Sequence, residues 1–368
     1  MKKYILKLLL FSLPIILIIC PSLLVLYMAG EIDGESDYVM PLQKNQLIGL
    51  AYTDIREAYK FKMTDSILQP EIIALGSSRI MQVKSDFISN DYHFYNAGGA
   101  VNNIYQYQLF LKELSYTPKL LIISIDQFLF NPNYQNQIAS FNPKCYEFPK
   151  HNLPNILNTF IHDLFIGKIV FNKIFHNKNR NIGLNAIINE NGYKYDGTHQ
   201  EKNLINNQLA EDYNFKDTFQ RIAQGNRRFE YREHADTTLV GIINLFLNEC
   251  EKKGIAVVAI IPPFAPAVLR KMNDTGKYAY LHEIYDILIP CFKNHKHCYL
   301  HDYTDITAMN VYNYDFIDGF HGSEIIYCML IRDILSQTPY LKKYFKEDKQ
   351  LRQFEKEYNK RKIRYHSI

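Results

Sequence analysis

The stretch EIIALGSSRI, residues 71–80, indicates both the fold and the chemistry of this chain. Its aliphatic run is typical of a strand that is buried on both faces, as strands of parallel sheets are. The run ends in Gly76, two serines and Arg79, so small polar side chains follow the strand directly. Open α/β sheets bind their ligands at the carboxyl ends of the strands. We therefore expect the residues after this strand to lie in a functional cleft.

Four further aliphatic runs predict the other strands of the sheet. They cover residues 92–99, 120–126, 254–263 and 298–304. Stretches with the spacing of amphipathic helices separate them, at 101–115, 237–252 and 323–336. Alternation of strands and helices is typical of α/β proteins with a parallel sheet and right-handed crossovers. The sequence therefore predicts an α/β fold with three layers, α/β/α.

The predicted α/β domain spans residues 66–340. An inserted subdomain is expected at about 127–236, because this gap between two strands is too long for a crossover and is helical in part. Residues 31–65 are interpreted as a linker and a leading helix near 48–60. The tail, 341–368, holds ten Lys and Arg residues against four Asp and Glu residues. It is expected to be a basic helix, either solvated and packed by a few apolar residues or in contact with an anionic surface.

The first 30 residues predict a membrane anchor. Lys2, Lys3 and Lys7 precede an uncharged apolar stretch that runs from Leu8 to about Met28. About 20 apolar residues span a bilayer as a helix, whereas the core of a signal peptide is shorter and precedes a small-x-small cleavage site. Positive charge stays on the cytoplasmic side. We therefore expect an uncleaved, single-pass signal anchor in the cytoplasmic (inner) membrane, with the soluble domain outside the cytoplasm, periplasmic or extracellular.

Charge and motifs exclude some classes of function. The net charge of +4 is too small to indicate nucleic-acid binding, and the chain has no Gly-rich phosphate loop of the GxxxxGK[ST] type. Cys291 and Cys298 bracket two histidines, but this spacing is not that of a usual zinc site. A surface loop, with or without a disulfide, is the favoured interpretation, and spacing alone predicts no pairing among the six cysteines. The sequence thus predicts neither a metal nor a cofactor.

Residues able to carry out acyl transfer follow the predicted strands. A serine nucleophile needs an imidazole within hydrogen-bond reach and a carboxylate that holds this imidazole. Ser78 follows the first strand, and Asp318 and His321 lie three residues apart in the late segment DGFH. Gly98, at the end of the second strand, can present its N–H to a developing oxyanion, because no Cβ blocks the approach. The predicted catalytic residues are therefore Ser78 as nucleophile, His321 as base and Asp318 as the orienting carboxylate.

The order of these segments resembles the SGNH (GDSL-type) hydrolase superfamily over roughly residues 70–126 and 250–335. Gly76-Ser77-Ser78 is similar to the first block of that family, Gly98 to the second block, and Asp318-x-x-His321 to the last block. Ser77 replaces the aspartate of the family. This form resembles a membrane-anchored branch that acts on cell-envelope polymers and includes the D-alanine transfer protein of teichoic acid synthesis and the alginate O-acetylation proteins. The resemblance implies a flavodoxin-like parallel sheet.

The third block departs from the family pattern. The family has Gly-x-Asn-Asp there, and Asp126 occupies the position of the asparagine that donates to the oxyanion. An ionised aspartate only accepts hydrogen bonds and would repel an oxyanion. The oxyanion hole is therefore either impaired or built from other donors. The candidate donors are the backbone N–H groups of Ser78 and Gly98 and the side chains of Asn102, Asn103 and Arg79.

Arg79 has two interpretations. It either contacts an anionic or sugar-bearing substrate or stabilises the charge on the oxyanion, or it pairs with a nearby carboxylate, Asp86 or Asp126.

The residues and the resemblance together predict an O-acyltransferase or esterase that moves or removes a small acyl group, acetyl in the first instance, on an envelope polysaccharide. The resemblance also implies a multi-span membrane acyltransferase as partner. The alternative is a catalytically reduced SGNH-like domain that binds polysaccharide or scaffolds an export complex.

Overall fold

The computed structural model of the protein describes residues 2–134, 141–201, 212 and 214–366, with the backbone alone for 361–366 and for most of 2–15. The remaining parts of the predicted insertion lie outside these described residues. The chain divides into two compact units. The first unit comprises Met1–Ile55, Glu147–Tyr195 and His199–Lys202, and the second comprises Arg56–Tyr146, Asp196–Thr198 and Asn203–Ile368.

The helices and strands of the described residues are as follows. The α-helices are α1 (Lys2–Met28), α2 (Glu35–Tyr38), α3 (Arg56–Lys62), α4 (Tyr105–Glu113), α5 (Leu153–Phe165), α6 (Phe171–Phe175), α7 (Leu184–Asn189), α8 (Lys216–Gln224), α9 (Val240–Lys252), α10 (Pro266–Thr275), α11 (Ile284–Lys293), α12 (Glu324–Gln337) and α13 (Asp348–His366). The strands are β1 (Ile72–Gly76), β2 (Phe94–Gly98), β3 (Leu120–Ser124), β4 (Gly192–Tyr193), β5 (His199–Gln200), β6 (Ala256–Ile261) and β7 (Cys298–Asp302).

Five of these strands form the central sheet of the second unit. The sheet is entirely parallel and has the order β2-β1-β3-β6-β7. Every residue of β1, β3 and β6 is buried, as expected for strands covered on both faces. Each predicted strand is confirmed, and the fold is α/β with helices flanking a parallel sheet, compatible with three layers. The strand order reverses between β1 and β3, which places a crevice at the carboxyl ends of these two strands.

Three predicted helices are confirmed: α4 and α9 lie inside the ranges that periodicity predicts, and α12 ends one residue beyond its range. The leading helix differs from its prediction, because α3 begins at Arg56 and not near residue 48. The backbone of Ile48 instead exchanges hydrogen bonds with Tyr193, and the N–H of Gly49 donates to the carbonyl of Ile182. The backbone of this segment therefore bonds to another part of the first unit, and these hydrogen bonds override its helical pattern.

The core of the first unit joins the C-terminal end of α1 to the region predicted as an insertion. Its buried members are Val25, Leu26, Ala29, Ile156, Phe160, Ile174, Leu184, Ile187 and Ile188. The last turns of α1 thus pack against α5, and residues 147–195 share a core with the N-terminal segment. Among the helical residues that the structure describes in full, no helix combines the length and the apolar character that crossing a membrane requires.

The C-terminal helix packs against the rest of the second unit. In α13, Leu351 is buried and Phe354 packs edge-on against Phe87, with ring centroids 5.1 Å apart.

All six cysteines are free thiols. His295 in the Cys291–Cys298 segment contacts the side chains of Glu251 and Asn244, each at 3.0 Å. Within the described ranges, no group of three or more His, Cys, Asp or Glu side chains could hold a metal ion.

Candidate active site

The nucleophile candidate lies where β1 ends. Ser78 opens a short 3-10 helix, Ser78–Ile80, and the side chain of Ser77 caps it by accepting a hydrogen bond from the N–H of Arg79 at 3.1 Å. Gly76 permits this exit from the strand, because a Cβ at this position would collide with the side chain of Ser124 on β3. Ser78 itself is partly exposed, so its hydroxyl is accessible from solvent.

Three side chains from two distant segments of the chain form a continuous hydrogen-bond relay. The Oγ of Ser78 lies 2.9 Å from Nε2 of His321. The Nδ1 of His321 lies 2.8 Å from Oδ2 and 3.1 Å from Oδ1 of Asp318. This is the arrangement in which an imidazole can accept a proton from a hydroxyl while a carboxylate fixes its tautomer. The structure thus brings together the three residues that the sequence proposes as catalytic.

The loop that carries His321 is held by its own carboxylate. Asp318 Oδ1 accepts hydrogen bonds from the N–H groups of Phe320, at 2.8 Å, and His321, at 2.7 Å. Burial by itself raises the pKa of the Asp318 carboxyl, but the imidazole of His321 and these hydrogen bonds outweigh burial and hold the pKa below its ordinary value. Asp318 is therefore ionised at neutral pH and can stabilise an imidazolium on His321.

Arg79 points into the protein and not toward the solvent-facing side of the site. Its side chain is only 1% exposed. Nη1 donates to Oε1 of Gln127 at 2.6 Å, and Nη2 donates to the carbonyl oxygens of Pro262, at 3.0 Å, and Pro263, at 2.5 Å. Of the two carboxylates expected as partners, Asp126 lies nearby, 3.6 Å from Nη1. The guanidinium therefore joins the carboxyl ends of β1, β3 and β6 beneath the nucleophile.

Asp126 is also withdrawn from the exposed side of the site. It is fully buried, and neither of its carboxylate oxygens accepts a hydrogen bond from the residues that the structure describes. Burial raises the pKa of this carboxyl, and the positive charge of Arg79 opposes that rise. Because its side chain has no access to solvent, Asp126 is positioned as a partner of Arg79 beneath the cleft.

The expected oxyanion donors differ in what they already bind. The N–H of Gly98 donates to Oδ1 of Asn96 at 2.8 Å, so this donor is taken. Asn102 donates from Nδ2 to Glu57 at 2.8 Å, and Asn103 is buried with its Oδ1 accepting from the N–H of Tyr105. Ser78 keeps a backbone N–H that donates to no acceptor within the described part of the chain. Among the expected backbone donors, this N–H is the one free to meet an oxyanion.

Several residues that shape the site have no signal in the sequence. Phe264 and Phe320 both contact Arg79, with its guanidinium carbon 4.6 and 4.4 Å from the two ring centroids. Arg228 reaches the same aromatic cluster, 5.6 Å from the ring centroid of Phe320 and 5.1 Å from that of Phe128. Neither contact follows from periodicity or spacing, because the residues involved come from separate segments.

Comparison with protein-family models and with curated proteins finds no match for this chain.

Proposed function

We propose that this protein transfers or hydrolyses small acyl esters, O-acetyl in the first instance, through an acyl-enzyme on Ser78. The observation that carries the proposal is the unbroken relay from Ser78 through His321 to Asp318. Its geometry supports nucleophilic catalysis, because each hydrogen bond is within the distance at which a proton can pass or be held. The sheet order, with the serine at the switch point between β1 and β3, supports an SGNH-like, flavodoxin-like fold.

The proposed reaction proceeds in two halves. Ser78 Oγ attacks the carbonyl carbon of the ester, and its proton passes to Nε2 of His321 while Asp318 holds Nδ1–H. The backbone N–H of Ser78 faces the tetrahedral oxyanion. His321 then gives its proton to the departing alcohol, which leaves the acyl group on Ser78. In the second half, His321 deprotonates either water, giving hydrolysis, or a sugar hydroxyl, giving transfer, and the incoming oxygen displaces Ser78. These steps draw on side chains and one backbone N–H of this chain and need no cofactor.

The proposed substrate is an extracytoplasmic envelope polysaccharide, and its basis is the resemblance to the membrane-anchored SGNH branch. The proposed location is the cytoplasmic (inner) membrane, with α1 as a single-pass anchor and the chain that follows α1 outside the cytoplasm. Burial of Val25, Leu26 and Ala29 in the core of the first unit supports an uncleaved anchor, because cleavage after them would remove core side chains. A multi-span membrane acyltransferase is the proposed partner, again by resemblance.

The alternative function is a catalytically reduced domain that binds polysaccharide or scaffolds a modification complex. A specific observation favours it: the N–H of Gly98 is already bonded to Asn96, and the third block carries Asp126 in place of a donor. A weak oxyanion hole slows acyl transfer, since loss of a single donor costs about 100- to 1,000-fold in rate. The alternative predicts a folded protein that does not react with serine-directed probes.

The test uses the full chain purified in detergent, a fluorophosphonate probe and p-nitrophenyl acetate. We expect the wild type to be labelled on Ser78, as peptide mapping would show, and to release p-nitrophenol. Ser78→Ala should abolish both signals, and Asp318→Asn should lower turnover about a thousandfold or more, because the imidazole loses its preferred tautomer. Ser115→Ala, at an exposed serine between α4 and β3, is the matched control, and it should keep most of the activity. A folded wild type that neither reacts with the probe nor hydrolyses the ester would refute the proposal in favour of the scaffold.

A further inference from the structure

An apolar surface of the first unit remains uncovered where α5 ends and α6 begins. We call it the α5–α6 surface, and its members are Phe165, Ile166, Val170, Phe171 and Phe175. Phe165 is 78% exposed and Phe175 is 58% exposed, while Phe171 and Phe175 stack with ring centroids 6.2 Å apart. Contiguous exposed apolar side chains of this kind mark a site of interaction on a protein surface.

The same helices already bury a different face. Phe160 of α5 and Ile174 of α6 belong to the core of the first unit. The α5–α6 surface is therefore a second apolar face on two helices whose first apolar face is already buried. Packing within the first unit leaves these apolar side chains exposed, whereas an occupant from outside the unit would cover them.

The charges around the surface are mainly positive, although Lys173 lies 3.9 Å from the carboxylate of Glu190. Residues 164–181 contain Lys168, Lys173, Lys178 and Arg180 and no Asp or Glu. The side chain of Lys168 is largely exposed and contacts Asp163, at 3.2 Å, at the edge of this segment. Aromatic side chains with interspersed lysines are typical of protein surfaces that lie in the headgroup region of an anionic bilayer, where rings enter the acyl boundary and amines meet phosphates.

The position of α1 favours lipid over a protein partner as the occupant. Ser22, Val25, Leu26 and Ala29 of α1 and its exit are buried by the first unit, in part by α5 itself. At 1.5 Å per residue, the stretch from Ser22 to Met28 lies within about 9 Å of the end of the apolar stretch. A unit that packs on α1 so close to its end has to meet the outer headgroup layer if α1 spans the bilayer.

We infer that the α5–α6 surface inserts into the outer interface of the same anionic membrane and fixes the first unit against it. The inference rests on the membrane location put forward under the proposed function, and it adds a second contact between protein and lipid. It implies that the first unit is seated on the bilayer and is not tethered through α1 alone.

The chain has no tryptophan, which makes a single introduced indole a clean reporter. We would reconstitute full-length Phe165→Trp and Phe171→Trp, each alone, in vesicles of phosphatidylcholine and phosphatidylglycerol. The matched control is Leu153→Trp, an exposed apolar position, 43% exposed, at the other end of α5, about 18 Å away along the helix. Fluorescence would be recorded with and without lipids brominated near the headgroup end of the acyl chain.

We expect the indoles at positions 165 and 171 to be blue-shifted and quenched several-fold more strongly than the indole at position 153. Unchanged far-UV circular dichroism would establish that each variant is folded. Quenching at 165 and 171 no stronger than at 153 overturns the inference, because it shows that lipid does not cover the surface.

Flotation of the vesicles separates failure of this inference from failure of the premise. Chain that floats with lipid but is not quenched at 165 or 171 retains its anchor and lacks the second contact. Chain that does not float refutes the anchor, and the inference falls with it. Reactivity of Ser78 toward the fluorophosphonate is scored in the same samples, so that loss of the enzymatic proposal is seen independently of either result.

Discussion

Arg79 joins three strand ends through one side chain. Its guanidinium donates to Gln127 after β3 and to the carbonyls of Pro262 and Pro263 after β6, while its own backbone follows Ser78 after β1. The hydroxyl of Tyr327 on α12 also donates to the carbonyl of Arg79. A buried cation is tolerated only when its hydrogen bonds are met, and here carbonyl oxygens meet most of them. Arg79 thus positions the nucleophile and has no exposed surface with which to bind a substrate.

The first prediction compares the two members of this buried pair. Arg79→Met should lower the free energy of unfolding by about 3–5 kcal/mol, because Asp126 is then buried without a cation. Asp126→Asn should lower the free energy of unfolding clearly less, since Arg79 keeps Gln127 and two carbonyls as acceptors. Urea unfolding followed by circular dichroism measures both. Equal losses in the two variants would mean that the ion pair, and not the carbonyl contacts, holds these strand ends together.

Asp126→Asn also tests whether Asp126 repels an oxyanion. Because Asp126 is fully buried, we expect turnover of p-nitrophenyl acetate to change little. A large gain in turnover would contradict this placement and show that the carboxylate acts directly on the oxyanion.

At the scale of elements, a buried carboxylate ties three segments of the first unit together. Glu31, just after α1, accepts hydrogen bonds at Oε1 from the N–H of Ala51, at 2.8 Å, and from that of Leu184, at 2.5 Å, where α7 begins. Its Oε2 has no hydrogen-bond partner among the described residues. Burial raises the pKa of Glu31 to about 7, although the backbone N–H groups oppose the rise. The turn after α1 therefore holds a carboxyl that titrates near neutral pH.

The second prediction is a pH dependence of stability. Because the folded pKa of about 7 exceeds the ordinary value of 4.5, the folded state binds more protons between these two values, and stability should fall as pH rises through this window. A shift of this size corresponds to about 3 kcal/mol. Glu31→Gln should abolish that slope in urea titrations of the full chain, whereas Glu35→Gln, an exposed carboxylate on α2, should keep it. A slope that persists in Glu31→Gln would show that another group titrates.

At the scale of the whole molecule, the apolar N-terminal segment presents two different faces in one helix. Leu17, Leu24 and Tyr27 of α1 are exposed, whereas Val25 and Leu26 are buried in the core of the first unit. A helix that served only as a membrane anchor would not need this second face. Removal of the segment is therefore expected to damage the first unit as well as to release the protein.

The third prediction follows from that second face. A chain that starts at residue 31 loses Val25 and Leu26 from the core, each worth about 1.5–3 kcal/mol of burial. A chain that starts at residue 19 keeps them. We expect limited proteolysis to cut within residues 147–195 in the first chain and to spare this range in the second, while fluorophosphonate labelling of Ser78 survives in both. Equal protection of the two chains would mean that α1 contributes nothing to the core.

The sequence by itself determined the five strands of the central sheet and the residue types of the site. Runs such as IIALG and LLIIS are buried on both faces, and that local pattern is enough to place β1 and β3. The order of Ser78, Asp318 and His321 likewise predicted a relay, because each residue type has few chemical roles. Only the tertiary structure decided that the N–H of Gly98 is taken by Asn96, that Arg79 turns inward, and that residues 147–195 share a core with α1. These outcomes depend on which donors and acceptors from distant segments come within hydrogen-bond reach, and neither periodicity nor spacing encodes that information.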